Sequence, residues 1–433
     1  MARIIDLVLF GANGCTGQHV IPILHKLAQA KTPPLTWGIA GRSKQKLQVL
    51  RQQFEQKIGT SLNNIPVIVA DVHNKSSLIE MAQQARIVLN CCGPYRFYGE
   101  PVVQVCIDEE THYVDISGEP HFMEEMQLKY SEKARQKGVY VISACGIDSI
   151  PIDLGVVFLQ QKFNGTLNSI NAFIEIWETK AVKSPFMTYG TWESAIHGLA
   201  HAKDLGAVRK KLFSNKLPVF EPKLQVITRP HKSKLPQGWA VPFPGADRSV
   251  VKRSQRFFYE RAKKRPVQIE VYLILKSFRT IPKLAMLNFV VQSLAQYKRG
   301  QELLLEHPEK FSNGVFTKGA PSEEKNENSR FTVTLCGEGW KEGVAHADHK
   351  HTVPPNKAIC GKVNVISPAY GGTCMLLVLS GIIVITETEK MPPAGGVYSP
   401  GYAFANTTLI EQLNQNGVTF EVVFEKDLLS AKY

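Results

Sequence analysis

One glycine-rich turn constrains the fold of this chain more than any other feature of its sequence. The apolar run Ile4–Phe10 leads directly into the segment GANGCTG, and a helical pattern follows it. Glycine allows positive φ angles and close approach to the main chain, while a helix N-terminus offers free N–H groups and a positive dipole end. The spacing GxxGxxG between a strand and a helix therefore predicts a dinucleotide-binding turn, and its alternative is a tight turn without a ligand. The predicted cofactor contacts in this turn are Gly11, Asn13, Gly14, Cys15, Thr16 and Gly17.

Apolar runs and helical patterns alternate through the first third of the chain. Strands that are apolar throughout and separated by helices are typical of a parallel sheet covered on both faces, and right-handed crossovers favour a doubly wound topology. We therefore predict an α/β protein with a Rossmann doubly wound parallel sheet in residues 1–155. An α+β second domain is predicted for residues 156–367, and a C-terminal segment, residues 368–433, is predicted to pack back on the first domain. The predicted strands of the first sheet are Ile4–Phe10, Leu35–Ala40, Ile65–Ala70, Ile87–Asn90, Tyr113–Ile116 and Tyr140–Ser143.

The composition excludes several other classes of protein. Of 433 residues, 44% are hydrophobic, which is enough for packed cores and excludes a disordered or collagenous chain. The N-terminal apolar run lacks the basic start and the length of a secretory signal, so we expect none. The run Cys374–Ile385 is shorter than the roughly 20 apolar residues that cross a bilayer, so it predicts a buried helix and no membrane span. Eight cysteines without framework spacing indicate a reducing compartment.

The second predicted strand decides which nicotinamide cofactor fits. An NAD site places Asp or Glu about 20 residues after the glycine turn, where the carboxylate binds the ribose hydroxyls. No Asp or Glu occurs from Leu7 to Phe54, and the second strand ends instead in Gly41, Arg42 and Ser43. A guanidinium matches a phosphate by paired hydrogen bonds, and a serine hydroxyl adds another. Arg42 and Ser43 therefore predict NADP(H), and the alternative is that Arg42 is a surface cation.

Two further strand ends are predicted to meet the cofactor, because ligands of such sheets bind outside the carboxyl ends of the strands. Asp71 follows the third strand, where it would either meet the adenine edge or cap the next helix. Gly93 and Pro94 follow the fourth strand and give a stiff turn without side-chain bulk. We expect these two residues beside the nicotinamide.

Hydride transfer also needs a proton donor or acceptor near the nicotinamide. Tyr95 and Tyr98 offer hydroxyls in that region, and Tyr95 is the first candidate because its neighbours leave it unshielded. Asp148 follows the sixth strand and is a third catalytic candidate, although it could instead cap the helix after it. Asp115 and Glu119 end the fifth strand and could simply bind loop backbone.

Metal and cysteine chemistry are not predicted. His346, His349 and His351 lie between charged loops without the i,i+4 spacing of a helical metal site, so they predict a solvated loop. Cys91 and Cys92 end a buried strand, and no histidine stands beside them in the sequence to activate a thiol.

Several segments resemble the animal saccharopine dehydrogenase-like oxidoreductases. They include AGRS at 40–43, NCCGPYRFYGEP at 90–101, YVDISGEP at 113–120 and GIDSIPIDLG at 146–155, with PPAGGV and PGYAF near the end. The resemblance implies an NADP(H)-dependent oxidoreductase that acts on a hydrophobic or lipid-type carbonyl, imine or enoyl compound. It also implies a link to lipid or glycolipid metabolism at lipid droplets or membranes. The alternatives are a non-catalytic nucleotide-binding scaffold on lipid droplets and a true saccharopine reductase.

Positive charge is concentrated in the middle of the chain. The formal net charge is +13, and residues 201–300 contain 22 Lys and Arg against 5 Asp and Glu. Such an excess predicts an anionic surface as a partner, and its alternative is a solvated basic face. Because no nucleic-acid-binding motif accompanies the charge, we expect lipid rather than nucleic acid.

Two segments of the second domain predict how the lipid is contacted. The segment Arg248–Arg265 mixes basic residues with Phe257, Phe258 and Tyr259, and Ile281–Tyr297 is apolar but too short and too polar to span. We therefore expect peripheral attachment to the cytosolic face of lipid droplets or membranes. In the alternative, apolar positions at helical spacing are buried in the second domain or in a homodimer interface. Those positions are Leu284, Leu287, Val291 and Leu294.

Overall fold

The first of two seven-stranded sheets is parallel throughout. The structure is a computed structural model that describes residues 3–344 and 346–428. Numbered along the whole chain, the strands of this sheet are β1 (Ile5–Phe10), β2 (Trp37–Gly41), β3 (Val67–Val69), β4 (Ala85–Asn90), β5 (His112–Asp115), β6 (Tyr140–Ile142) and β13 (Gly396–Tyr398). Their order is β13-β6-β5-β4-β1-β2-β3, which confirms the predicted doubly wound sheet.

Five helices connect these strands and cover both faces of the sheet. Local signals start several of them: the hydroxyl of Ser43 accepts a hydrogen bond from the amide of Lys46, and Asn74 accepts one from Ser77 in the same way. Their inner faces are apolar, so the parallel strands are buried between two helical layers. The helices are α1 (Gly17–Gln29), α2 (Lys44–Ile58), α3 (Lys75–Gln84), α4 (Tyr95–Asp108) and α5 (Pro120–Gln136).

The second sheet is mixed. Its order is β14-β12-β11-β7-β10-β9-β8, and only the pair formed by the seventh and tenth strands is parallel among the described residues. These strands are β7 (Thr166–Glu178), β8 (His231–Lys234), β9 (Gln237–Pro242), β10 (Gln268–Leu275), β11 (Ser329–Trp340), β12 (Lys357–Ile366) and β14 (Val418–Asp427). Cys336 and Cys360 face each other across β11 and β12 and form a disulfide, so the expectation of reduced thiols is wrong for this pair.

Eight helices occur between β6 and β11 along the chain. They are α6 (Ile150–Lys162), α7 (Tyr189–Ala200), α8 (Ala202–Leu212), α9 (Asp247–Ala262), α10 (Thr280–Ala295), α11 (Lys298–Glu306), α12 (Pro308–Phe311) and α13 (Glu323–Asn328). Helix α6 is buried on all sides from Ile150 to Leu159, because it lies between the second sheet on one side and α9 and α15 (Pro400–Ala403) on the other. It therefore joins the two halves of the fold through a shared core.

The C-terminal segment returns to the first sheet through β13, as predicted, whereas its last strand, β14, pairs with β12 of the second sheet, so the prediction is wrong for this strand. It contains a π-helical turn (Pro368–Gly372), α14 (Thr373–Thr386), β13, α15 (Pro400–Ala403) and α16 (Leu409–Asn414). Helix α14 is buried, which confirms the prediction for Cys374–Ile385, and it packs so closely on β4 that a Cβ at Gly381 would lie 2.4 Å from Leu89. By length and composition, Pro368–Thr386 could cross a membrane, and 78% of its apolar window is buried inside the fold.

The segment Arg248–Arg265 buries its phenylalanines in the fold, whereas most of its basic side chains are exposed. The rings of Phe257 and Phe258 are buried, as is the side chain of Arg253. Because an α-helix has 3.6 residues per turn, α9 turns one face toward the core, and these side chains lie on that face. The interleaved sequence pattern does not show which residues lie on it. The prediction that this segment offers a lipid-facing aromatic surface is therefore wrong for both phenylalanines.

Candidate functional site

The glycine turn lies where the neighbouring strands β1, β2 and β4 end. Gly11 has a φ of +81°, and a Cβ there would lie 2.7 Å from the sulfur of Cys92. A Cβ at Gly17 would lie 2.2 Å from the carbonyl oxygen of Gly11, and one at Gly14 would lie 3.1 Å from the same oxygen. The turn is therefore compact because its glycines lack side chains.

The N-terminus of α1 has the properties of an anion site. Thr16 stands at its N-cap but makes no side-chain capping bond, and the first turn of the helix contains no acidic residue. The amides of Gln18 and His19 are bonded within the turn, whereas those of Cys15, Thr16 and Gly17 have no partner among the described residues. These three N–H groups and the positive dipole end are what a pyrophosphate requires. Asn13 extends from the turn toward the end of β2, where a Cβ at Gly41 would lie 3.1 Å from its Oδ1 atom.

Tyr370 from the C-terminal segment contacts this turn. Its hydroxyl lies 3.2 Å from the sulfur of Cys15, and its ring stacks on that of His19 with centroids 3.8 Å apart. Sequence reasoning missed Tyr370, because nothing local connects residue 370 with residue 15. The contact of Tyr370 with Cys15 and His19 makes the C-terminal segment part of the predicted nucleotide site.

Arg42 lies directly after β2, at the position where the sequence predicts a 2′-phosphate partner. Its side chain is exposed, and it forms no hydrogen bond or ion pair with any residue that the structure describes. Ser43 beside it caps α2 with its oxygen, which leaves its hydroxyl proton free to donate. The charges near the Cys92 thiol include Arg42 and Asp71, so these two residues share one region. An exposed guanidinium beside a serine fits the predicted NADP(H) contact.

Asp71 does not cap the following helix. Its Oδ1 atom accepts a hydrogen bond from the amide of His73, 3.0 Å away, and so orders the turn after β3. Asn74 caps α3 in its place. The helix-capping interpretation of Asp71 is therefore wrong, while its predicted contact with the adenine edge stays a prediction.

Tyr95 is buried in a structural role. Gly93 and Pro94 lead from β4 into α4, and the first residue of that helix is Tyr95. Its hydroxyl donates to the carbonyl oxygen of Asn90 at 2.9 Å, and burial raises its pKa well above the usual range. A hydroxyl turned into the sheet cannot reach a substrate, so the structure argues against our first catalytic candidate.

Asp115 and Glu119 organise loops, as their alternative interpretation predicts. The Asp115 carboxylate accepts hydrogen bonds from the amides of Ser117 and Ala144 and from the hydroxyl of Ser143. Burial nevertheless raises the pKa of Asp115 to about 6. Glu119 accepts from the first two amides of α4 and from the hydroxyl of Ser194 on α7. Asp115 therefore orders the loops after β5 and β6, and Glu119 links the start of α4 to α7 of the second domain.

Asp148 lies in a narrow crevice between the two halves of the molecule. The cavity has a volume of about 70 Å³, and its walls come from the glycine turn, the loop after β6, the start of α7 and the start of α14. Asp148 is the titratable side chain in this lining, and burial raises its pKa. The lining consists of Thr16, Ile116, Gly146, Ile147, Asp148, Met187, Thr188, Thr191, Ala369 and Thr373.

The helix after Asp148 does not use this carboxylate as a cap. Ser149 stands at the N-cap of α6 and makes no side-chain capping bond there. Among the described residues, no hydrogen bond involves the Asp148 carboxylate, which is half-buried. The capping interpretation is therefore wrong, and the group remains free to exchange a proton in the crevice.

Tyr98 lies outside this crevice. Its ring meets that of His73 edge to face, with centroids 5.8 Å apart, on the side of the sheet where Asp71 is found. Sequence reasoning missed Thr188, Thr191 and Thr373, which line the crevice from distant parts of the chain. No local pattern distinguishes these threonines from any other.

The cysteines and histidines give no sign of a second chemistry. Burial raises the pKa of Cys92 to about 12 and that of Cys91 well above its usual value, so neither thiol is activated. His351 stacks on Trp340 with ring centroids 3.5 Å apart. Within residues 3–344 and 346–428, no group of three or more His, Cys, Asp or Glu could hold a metal ion.

A doubly wound sheet and a glycine turn at a helix N-terminus define a dinucleotide-binding fold, and similarity to known proteins makes it that of an NADP-dependent oxidoreductase. The family model of the saccharopine dehydrogenase NADP binding domain matches residues 7–142. The saccharopine dehydrogenase-like oxidoreductase of Bos taurus is 38% identical over 425 residues, which are 97% of this chain and 98% of the relative. The chain belongs to this family of saccharopine dehydrogenase-like oxidoreductases.

Two further similarities extend the comparison. The lipid droplet localized protein of Caenorhabditis elegans is 35% identical over 428 residues, which are 98% of this chain and 99% of the relative. The solved structure of apo saccharopine dehydrogenase (L-Glu forming) from Saccharomyces cerevisiae matches with a TM-score of 0.53 at 14% identity. It covers 98% of this chain and 100% of its own, so the two proteins share the fold across both domains.

Proposed function

We propose that this protein reduces or oxidises a hydrophobic carbonyl, imine or enoyl compound, with Asp148 as the group that exchanges a proton with it. The observation that carries the proposal is the unpaired Asp148 carboxyl in the crevice that Thr16 of the nucleotide turn also lines. The bound cofactor would supply the hydride in reduction or accept it in oxidation. A raised pKa keeps this carboxyl protonated to a higher pH than usual, as a general acid requires.

The other walls of the crevice support an uncharged substrate. Ile116, Ile147 and Met187 are apolar, and the polar lining besides Asp148 consists of threonine hydroxyls. No lysine or arginine stands in this lining, whereas a dicarboxylate amino acid would need cations to bind its acids. These features favour a hydrophobic substrate over saccharopine.

Substrate turnover tests this proposal against its alternatives. We expect NADPH oxidation with at least one member of a panel of lipid aldehydes, enoyl compounds and imines, and none with saccharopine or its precursors in a coupled assay. Robust saccharopine turnover would favour the true saccharopine reductase. Saturable NADPH binding without turnover of any compound would favour the scaffold.

Arg42 is expected to set the cofactor preference. Arg42→Ala should weaken NADPH binding by roughly 1.5–3 kcal/mol through the loss of a charge-assisted bond, and it should weaken NADH binding far less. Fluorescence titration with both cofactors measures the two affinities. Lys44→Ala removes another exposed cation two residues away and serves as the control. An equal loss for NADPH and NADH would contradict the assignment of Arg42 to the 2′-phosphate.

We also propose that α10 attaches the protein to an anionic lipid surface on the cytosolic side of lipid droplets or membranes. One face of this helix packs on α7 and α11 through Val291 and Ala295. The opposite face exposes Met286 and Phe289, which are 65% and 72% accessible, and Tyr297 follows at 71%. A contiguous patch of large apolar side chains in contact with water is typical of an interaction surface.

The charges around α10 favour lipid as the partner. Four exposed basic residues flank the apolar face, and none of them forms an ion pair with a residue that the structure describes. Each cation near an anionic headgroup contributes about 1 kcal/mol. Leu284 is 37% exposed, so not all four apolar positions are buried within this chain, and experiment must separate a homodimer interface from a lipid surface. The flanking residues are Arg279, Lys283, Lys298 and Arg299.

Flotation with vesicles that contain phosphatidylserine tests the attachment. We expect the wild-type protein to float at low salt, because both apolar burial and charge contribute, and to float less as salt screens the charge. The double variant Met286→Glu and Phe289→Glu should stay at the bottom of the gradient. Val219→Glu, at another exposed apolar residue, is the control. Wild-type protein that stays at the bottom, or a dimer that the double variant abolishes, would contradict the proposal.

A further inference from the structure

A second cavity lies outside the crevice, between the end of α9 and the chain around β13. Its volume is about 510 Å³, which falls within the range of small-molecule sites. Pro392 and Pro393 form one side, and the segment from Tyr402 to Asn406 forms another. None of its lining residues belongs to the lining of the crevice that contains Asp148.

Two cations stand at this cavity without acidic partners among the described residues. The guanidinium of Arg261 lies 5.9 Å from the ring centroids of both Phe257 and Tyr398. The ammonium of Lys264 lies 5.8 Å from the ring of Phe258. Contact with the rings holds the two charged groups at the cavity while leaving their N–H donors free.

Aromatic rings give the cavity a rigid apolar wall. Tyr402 stacks on Phe257 with centroids 5.1 Å apart, and its ring also meets those of Phe258 and Tyr398. Tyr398 is 1% exposed, and its hydroxyl donates to the carbonyl oxygen of Gly395. The described residues offer no partner to the Tyr402 hydroxyl, so this group can bond to a ligand.

We propose that this cavity binds a small organic anion with a flat or acyl apolar body. The anionic group, a carboxylate, sulfonate or phosphate, accepts hydrogen bonds from Arg261 and Lys264, and the apolar body packs against Tyr402 and the two prolines. Charge-assisted bonds at the rim and an aromatic wall are the two elements that recognise such a molecule. The site is independent of the proposed reaction, because its residues are separate from the crevice.

The fluorescent aromatic sulfonate 8-anilino-1-naphthalenesulfonate is a suitable probe. We expect saturable fluorescence enhancement by the wild-type protein, and an affinity about tenfold or more lower for the double variant Arg261→Ala and Lys264→Ala, since two charge-assisted bonds are lost. Decanoate should displace the probe, because it combines a carboxylate with an apolar body. Inorganic phosphate should not, because it lacks that body.

Two further variants keep the test decisive. Lys263→Gln removes an adjacent cation that does not line the cavity, and it should bind the probe as the wild type does. Ala405→Trp should abolish binding by filling the space while leaving both cations in place. NADPH titration of each variant shows whether the fold and the nucleotide site are intact. An unchanged affinity in the double variant, or displacement by phosphate alone, would overturn the proposal.

Discussion

Asp148→Asn is expected to lower kcat by about 10²- to 10⁴-fold, which is the range for a positioned general acid or base. Asparagine cannot exchange a proton, so the catalytic step should slow. Because its shape is similar to that of aspartate, NADPH affinity should be unchanged. The substrate that the wild type turns over fastest in the panel provides the assay, and a separate fluorescence titration measures NADPH binding. Asp204→Asn, on the exposed side of α8, provides the same chemical change at a distance from the crevice.

The pH profile distinguishes a proton donor from a residue that only shapes the crevice. Burial raises the pKa of Asp148, so the protonated form persists to a higher pH than for an exposed aspartate. For reduction, kcat/KM should therefore fall as pH rises through this raised pKa, and the remaining activity of Asp148→Asn should lack that limb. Wild-type rates, or an unchanged pH limb, in Asp148→Asn would refute the role.

Asp153→Ala is expected to lower the free energy of unfolding by about 2–5 kcal/mol, because it leaves buried donors without an acceptor. The Asp153 carboxylate is fully buried and accepts hydrogen bonds from the hydroxyl of Ser254 on α9 and the amide of Gly401 on α15. It therefore links α6, α9 and the C-terminal segment. Urea denaturation measures the effect, and Asp204→Ala should change stability little.

The same residue makes stability depend on pH. Burial raises the pKa of Asp153 to about 6, above the ordinary value of 3.8, so the folded protein binds this proton more tightly than the unfolded chain. Its contribution to stability is therefore greatest below pH 4 and is lost as pH rises through about 6. Asp153→Asn should remove this part of the slope while keeping an acceptor. A slope identical to that of the wild type would contradict the assignment.

The nucleotide half of the fold was predictable because its signals are local. Ile4–Phe10, the glycine turn and the helix after it follow each other directly, and the strands are mostly apolar because both faces of the sheet are covered. Arg42 directly follows the last residue of its strand, so its position at the carboxyl end of the sheet followed from the topology. Sequence distance and spatial distance agree in this part of the site.

The rest of the site depends on side-chain direction and distant contacts. The hydroxyl of Tyr95 points into the sheet toward Asn90, and no spacing rule gives that direction. The Asp148 carboxylate lacks a hydrogen-bond partner because it does not cap α6, and the sequence does not show this. Other walls of the crevice come from residues 187–191 and 369–373, which are distant in the sequence. The aromatic residues of α9 were misjudged because a local mixture of basic and aromatic residues has no unique orientation.

The position of β13 and α14 has a consequence for biosynthesis. At about 5–20 residues per second, a ribosome adds the roughly 220 residues from the end of the first domain to α14 in tens of seconds. During that time, the apolar surface of β4 that α14 covers lacks its partner, and the edge of β6 lacks β13. Chaperones would therefore find exposed binding surface on the nascent nucleotide half until synthesis is almost complete. A fragment that ends near residue 155 should for the same reason aggregate when it is expressed alone.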